Sequence, residues 1–173
     1  MAETTTGRPT ETVPALLAEL AALDDPRMRE VNERNGDDHG VNLTKLRAIA
    51  KRLKTNHGLA LELWATGVTA ARLLALLTCR PKAFTAGELD TMLREARAPK
   101  VHDWLVNYVV KKSPHVEALR LQWFDDADAV VASAGWALTV DRVASSRMGS
   151  ICRSCSTRSR RRWSRHPTAS SGR

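Results

Sequence analysis

Between Asn42 and Leu138 the chain sets one apolar stripe after another at the i, i+3, i+4, i+7 spacing of a helix, each closed within a few residues by Pro, Asp or Gly. The period-two alternation of a half-buried strand does not recur. Helices joined by such short turns must lie antiparallel beside their neighbours, and pairs stacked edge to edge build a solenoid. The chemistry of a solenoid is expected on its concave face, on the inner helices.

The length of 173 residues suffices for one domain with a substantial core. A net charge of +8 and a pI near 10.0 suggest a polyanionic partner until the charge is located. From Arg147 onward there are eight Arg, no Lys and no acid, so residues 1–146 carry 19 basic and 19 acidic side chains. The excess belongs to the tail, and a nucleic-acid partner must be argued from local patches. The chain divides into three regions: a polar, disordered N-terminus over 1–12, a helical-repeat domain over 13–146, and an Arg/Ser-rich tail over 147–173. No stretch holds the roughly 20 apolar residues that cross a bilayer. The start, with Glu3 and Glu11, lacks the layout of a secretory signal, so a cytoplasmic protein without membrane contact is expected. Cys79 falls in an apolar helical run and reads as core. Cys152 and Cys155 have C-x-x-C spacing, but with no second pair and only His166 to assist, no metal site is expected.

The first helix is expected from Thr12 or Val13, with Pro14 in its first turn and Leu16, Leu17, Leu20 and Leu23 on one face. A short helical turn around Met28 and Val31 leads into Asn35-Gly-Asp-Asp-His-Gly40, read as a connector. Asn42 caps the next helix, which buries Leu43, Leu46, Ile49, Ala50 and Leu53. Its other positions form the densest basic patch before the tail: Arg47, Lys51 and Lys54 on one flank, Lys45 and Arg52 on the other, with no acid between Leu43 and Lys54. Such a face is either a solvated surface or a seat for a phosphate backbone. His57 to Trp64 and Thr69 to Thr78 come next, the second apolar on nearly every side except at Arg72 and therefore interior. Thr85 and Glu88 form a capping box ahead of Leu89, Met92, Leu93 and Ala96. The helix Lys100 to Lys112 has Val101, Trp104, Leu105, Tyr108 and Val109 on its apolar face. Ser113-Pro114 reads as the cap and first residue of a helix packing Val116, Leu119, Trp123 and Phe124, and a last helix runs from Ala129 to Leu138. This is an all-α solenoid with the antiparallel hairpin layout of HEAT-like repeats.

The runs Gly40-Val-Asn-Leu-Thr-Lys-Leu-Arg-Ala-Ile-Ala-Lys51, Glu62-Leu-Trp-Ala-Thr66, Val101-His-Asp-Trp-Leu-Val-Asn107 and Ala134-Gly-Trp-Ala-Leu138 occur in that order. Together they resemble the bacterial DNA alkylation repair family, the AlkC/AlkD-type HEAT-like repeat proteins, over roughly residues 28 to 145. The resemblance implies a concave basic groove that recognises alkylated duplex DNA. It further implies a monomer of the bacterial cytosol or nucleoid, with no metal and no organic cofactor. Characterised members look like glycosylases that release cationic N3- and N7-alkylpurines.

A cationic alkylpurine already leaves readily. What a protein adds is a carboxylate near the sugar, stabilising the oxocarbenium-like transition state. At about 4 Å and an effective dielectric of about 20 that attraction is about 4 kcal/mol, or roughly three decades of rate. An aromatic face adds about 0.5 to 2 kcal/mol of cation–π contact. In the glycosylase branch an inner helix carries an aromatic residue and, one turn later, the carboxylate. Carried onto Lys100 to Lys112, that pattern puts Asn107 at the carboxylate's position, where a neutral amide supplies little of this attraction. Asp103, one turn earlier on the same side, is the substitute. Trp104, Tyr108 and Trp136 are the aromatic candidates for the base. Lys45, Arg47, Lys51, Arg52, Lys54, Lys111 and Lys112 are the candidate DNA contacts. No basic residue between Val131 and Ala134 matches the one that accompanies the site in that branch. Trp104 and Trp136 also sit on apolar stripes and can serve packing instead, and Asp103 can serve its helix dipole. Two further readings stay open: a non-catalytic binder of distorted or branched DNA, and a helical-repeat scaffold for proteins.

After Ser146 the apolar periodicity stops. Either the segment is a basic arm for a polyanion, or the reading frame shifts near Met148. Reading GC-rich codons for Ser150 to Arg173 two bases on gives an acidic, amphipathic, capped helix of the kind the preceding chain calls for. On that reading the repeat domain is cut short of its last helices.

Overall fold

The computed structural model describes the backbone of residues 11–162 and the side chains as far as residue 145. Among these residues nine α-helices succeed one another, and one isolated antiparallel bridge joins Asp24 to Val41. Helix α1 (Val13–Ala22) starts from Thr12, whose carbonyl accepts the Leu16 N–H at 3.1 Å, so residues 11 and 12 already belong to the fold. Helix α2 (Pro26–Glu33) is longer than the expected turn because the Asp25 carboxylate caps it and Pro26 fits its first position. Helix α3 (Leu43–Leu53) is capped by Asn42, which accepts the Thr44 N–H at 2.8 Å. Then come α4 (His57–Ala65), α5 (Thr69–Thr78), a 3₁₀ turn at Pro81–Ala83, and α6 (Ala86–Glu95) with both bonds of its capping box formed.

Helix α7 (Pro99–Trp104) changes character after one and a half turns. Leu105–Val109 is a π-turn, its end marked by a Val110 N–H shared between the carbonyls of Leu105 and Val106, and Val110–Lys112 closes as a 3₁₀ turn. Ser113 does not cap α8 (Val116–Phe124) as expected. Its buried hydroxyl donates to the Val110 carbonyl at 2.9 Å and accepts the His115 N–H at 3.3 Å, sealing the end of α7 instead. Helix α9 (Ala129–Arg162) begins where Asp128 accepts the Val130 N–H at 2.8 Å and continues beyond Leu138, since no Pro interrupts it. Residues 1–10 and 163–173 lie outside the described residues, as do the side chains of Cys152 and Cys155 and the choice between a basic arm and a shifted frame.

The core is centred on α5, where Thr69, Ala70, Ala71, Leu73, Leu74, Ala75, Leu76 and Thr78 are buried and α1, α3, α4 and α7 pack around. The short turns make α3, α5 and α7 parallel, and they pack in that order as the inner layer. Arg72, the one charge on α5, is fully engaged. Its guanidinium lies 4.8 Å from the Trp64 ring and donates to the Glu95 carbonyl at 2.7 Å, while the Trp64 indole donates to the Glu95 carboxylate at 2.8 Å. Trp123 is wholly buried, and its indole N–H reaches Asp90 at 2.7 Å, tying α8 to α6. Cys79 is core as expected: burial pushes its thiol up to about 12, which leaves it unreactive at neutral pH. Helices α8 and α9 touch backbone to backbone at Gly135, where a Cβ would fall 2.6 Å from the Phe124 nitrogen.

The connector after α2 does more than span a gap. Asp37 accepts the Lys100 N–H at 2.8 Å and so caps α7, while Asp24 holds the Gly40 N–H at 2.7 Å and takes both arms of Arg29. Between these clasps His39 is 3% exposed, and neither ring nitrogen has a hydrogen-bond partner. Desolvation holds its pKa below the ordinary 6.5, with Asp37 and Asp38 only partly opposing.

Two outcomes are expected. The unfolded chain binds a proton at His39 near pH 6.5 and the folded chain only at lower pH, so stability is complete above that value and falls as pH drops below it. Thermal unfolding of the wild type from pH 7 to 5 should show this decline and His39→Asn a shallower one; equal slopes would exclude His39 as its source. Gly135→Ala forces α8 and α9 apart and should cost about 1–3 kcal/mol, read as a lower melting temperature.

Candidate nucleic-acid interface

The basic flank of α3 and the exposed edge of α7 meet on the inner layer. Arg47, Lys51 and Lys54 line an open groove of about 320 Å³ together with Ala50, Thr55 and Leu77. From this groove Arg47 reaches across to α7, its guanidinium 5.6 Å from the Trp104 ring. Trp104 meets Tyr108 edge-on at 5.2 Å, and the Lys112 ammonium lies 5.7 Å from the Tyr108 ring. Two cations thus bracket two rings, each ring with a cation set against it. Beside them Asp103 and Asn107 are exposed and coupled: the Asn107 amide donates to the Asp103 carbonyl at 2.9 Å and to its carboxylate at 3.1 Å. The amide orients the carboxylate.

Several residues singled out from the sequence take other parts. Trp104 is 5% exposed, so its face is not open to a base. Tyr108 is half-buried. Trp136 is 54% exposed but stands on α9, stacked at 4.2 Å on Phe124 rather than on the Trp104–Tyr108 pair. Arg52 is not a free cation: it pairs with Glu11 at 2.8 Å and Glu19 at 2.6 Å, which raises its own pKa and lowers that of Glu19. Both acids come from the first helix and its lead-in, outside the acid-free stretch from Leu43 to Lys54. Lys111 bridges to Asp141 of α9 at 3.2 Å. Lys45, Arg47, Lys51, Lys54 and Lys112 have no carboxylate partner among the described residues.

Two cations were missed. Arg80 and Lys82 are exposed in the turn after α5, and that turn packs against Val110–Lys112. With Lys51 and Lys54 at the end of α3 and Lys112 at the end of α7, they place positive charge at the C-terminal ends of all three inner helices. Helix dipoles favour cations there. Their mark in the sequence is Arg80-Pro-Lys82 in the turn after an interior helix, on no helix face.

Among the described residues no three His, Cys, Asp or Glu converge as a metal site requires, and no helix is long and apolar enough to cross a membrane. The arrangement can neutralise phosphates along one rim and present one oriented carboxylate beside it.

A family model described as DNA alkylation repair enzyme matches residues 16–162. Among solved structures the chain is similar, at 28% identity and a TM-score of 0.65, to one described as a new family of proteins related to the HEAT-like repeat DNA glycosylases with affinity for branched DNA structures. The likeness covers 75% of this chain and 56% of that one, so the chain spans little more than half the length of the structure it resembles. No curated protein matches it.

Proposed function

The chain belongs to the DNA alkylation repair enzyme family, and from that premise we propose that it recognises alkylated or distorted duplex DNA along the rim of its inner helices. The succession of cations at the ends of α3, α5 and α7 carries this reading. Packed helices stand about 8–10 Å apart, so successive helix ends can follow the phosphates of one strand. The protein acts as a monomer and needs neither metal nor organic cofactor for this.

Excision of cationic N3- or N7-alkylpurines is the finer part of the proposal, and Asp103 is its carboxylate, oriented by Asn107. Magnitude limits it. Asp103 is exposed, and in water the attraction of a carboxylate for a cation 4 Å away falls from about 4 to about 1 kcal/mol. Only DNA covering the site would restore the difference. A binding role on distorted or branched DNA is therefore better supported than efficient catalysis, and the buried face of Trp104 favours it too. The resembling structure's family has affinity for branched DNA. A protein scaffold is the reading left if no DNA binds.

Measured against salt, DNA affinity should separate the cations. Arg47→Ala and Lys51→Ala should each lower the slope of log affinity against log salt by about one. Arg52→Ala, whose charge already meets two carboxylates, should leave the slope and lower the melting temperature; equal slope changes in all three would refute the assignment. On methylated duplex, Asp103→Asn should abolish release of 7-methylguanine while affinity stays within about twofold. Undiminished release from the variant would rule Asp103 out.

A further inference from the structure

Lys54 is the one non-glycine residue with positive φ among the described residues, at φ 60° and ψ −156° as the C-cap of α3. This region is all but reserved for glycine, because a Cβ there crowds the backbone. It is also not the left-handed conformation in which helices ordinarily end, where ψ lies near +47°. The path of the chain demands it. The Lys54 N–H still bonds back to the Ala50 carbonyl at 2.9 Å, while two residues on the Asn56 N–H bonds the Thr78 carbonyl at the end of α5, also at 2.9 Å. Glycine would make this corner without strain.

Nothing in the packing calls for lysine instead. The side chain is exposed, and Lys51 and Arg52 already stand in the last turn of α3 to meet its dipole. What lysine adds is a third cation on one helix face. Arg47, Lys51 and Lys54 stand at i, i+4 and i+7 and line the same groove of about 320 Å³, with Thr55 beside them. We infer that this groove seats successive phosphodiester groups of the nucleic-acid backbone, and that Lys54 is a phosphate ligand retained at a cost in stability. The inference rests on the DNA reading proposed above.

Lys54→Gly keeps the corner and removes the ammonium. Its melting temperature should rise by about 2–6 °C. Its affinity for a four-way DNA junction and for a linear duplex of equal length should fall about three- to tenfold, with the salt slope lower by about one. Lys54→Arg should keep the affinity without the gain in stability. A Lys54→Gly protein that gains stability yet binds both DNAs with unchanged affinity and slope refutes the seat, and one that loses stability refutes the strain. If the wild type binds neither DNA, the DNA reading falls and the seat with it. Tight wild-type binding beside an indifferent variant sinks the seat alone.

Discussion

Helix α5 has almost no side that water can reach, and the rest of the molecule is arranged so that this holds. Fully burying one Leu is worth about 1.5–3 kcal/mol, and Leu73, Leu74 and Leu76 are all buried on this one helix. The gain exists only while α1, α3, α4 and α7 stay packed around it. The site inherits its dimensions from the same helix. Ala70, Ala71 and Ala75 keep α5 slim, and Leu77 forms part of the groove, so Arg47 on α3 can reach over it to Trp104 on α7. A bulkier interior helix would separate the cations from the rings.

What could be read from the sequence was whatever a single helix decides for itself. The limits of α5, the Asn42 cap and the Thr85–Glu88 box all arise from signals within a few residues, and the structure reproduces them. What escaped were choices made between elements. Glu19 answers Arg52 from another helix, Asp37 caps α7 from a loop far earlier in the chain, and Ser113 closes the helix behind it rather than opening the one ahead. The π-turn had no compositional mark at all. Arg80 and Lys82 lay in plain view but in a turn, and their meaning comes only from the helix ends they join.

Lys51 and Arg52 show how little a residue type says about its use. They are neighbours in sequence and both exposed, yet a rotation of about 100° between them turns one toward the groove and the other toward two carboxylates of the first helix and its lead-in. In a region with as many acids as bases, binding depends on which cations the fold leaves unpaired. Trp104 makes the same point for aromatic residues: beneath Arg47 it spaces two helices and fixes a cation before it can meet any base.

The π-turn of α7 has an evolutionary corollary. One surplus residue in a helix is commonly accommodated as such a bulge, and it changes the angular phase between the helical turns on its two sides by roughly 100°. Trp104 and Asp103 lie before the bulge, Lys111 and Lys112 after it. Asp103 and the cationic rim are therefore geared through the single residue that such a bulge adds. Insertion or loss of that residue would re-time the two halves of the helix against each other while both of its ends stayed anchored, a change of specificity open to the lineage without any substitution in the site itself.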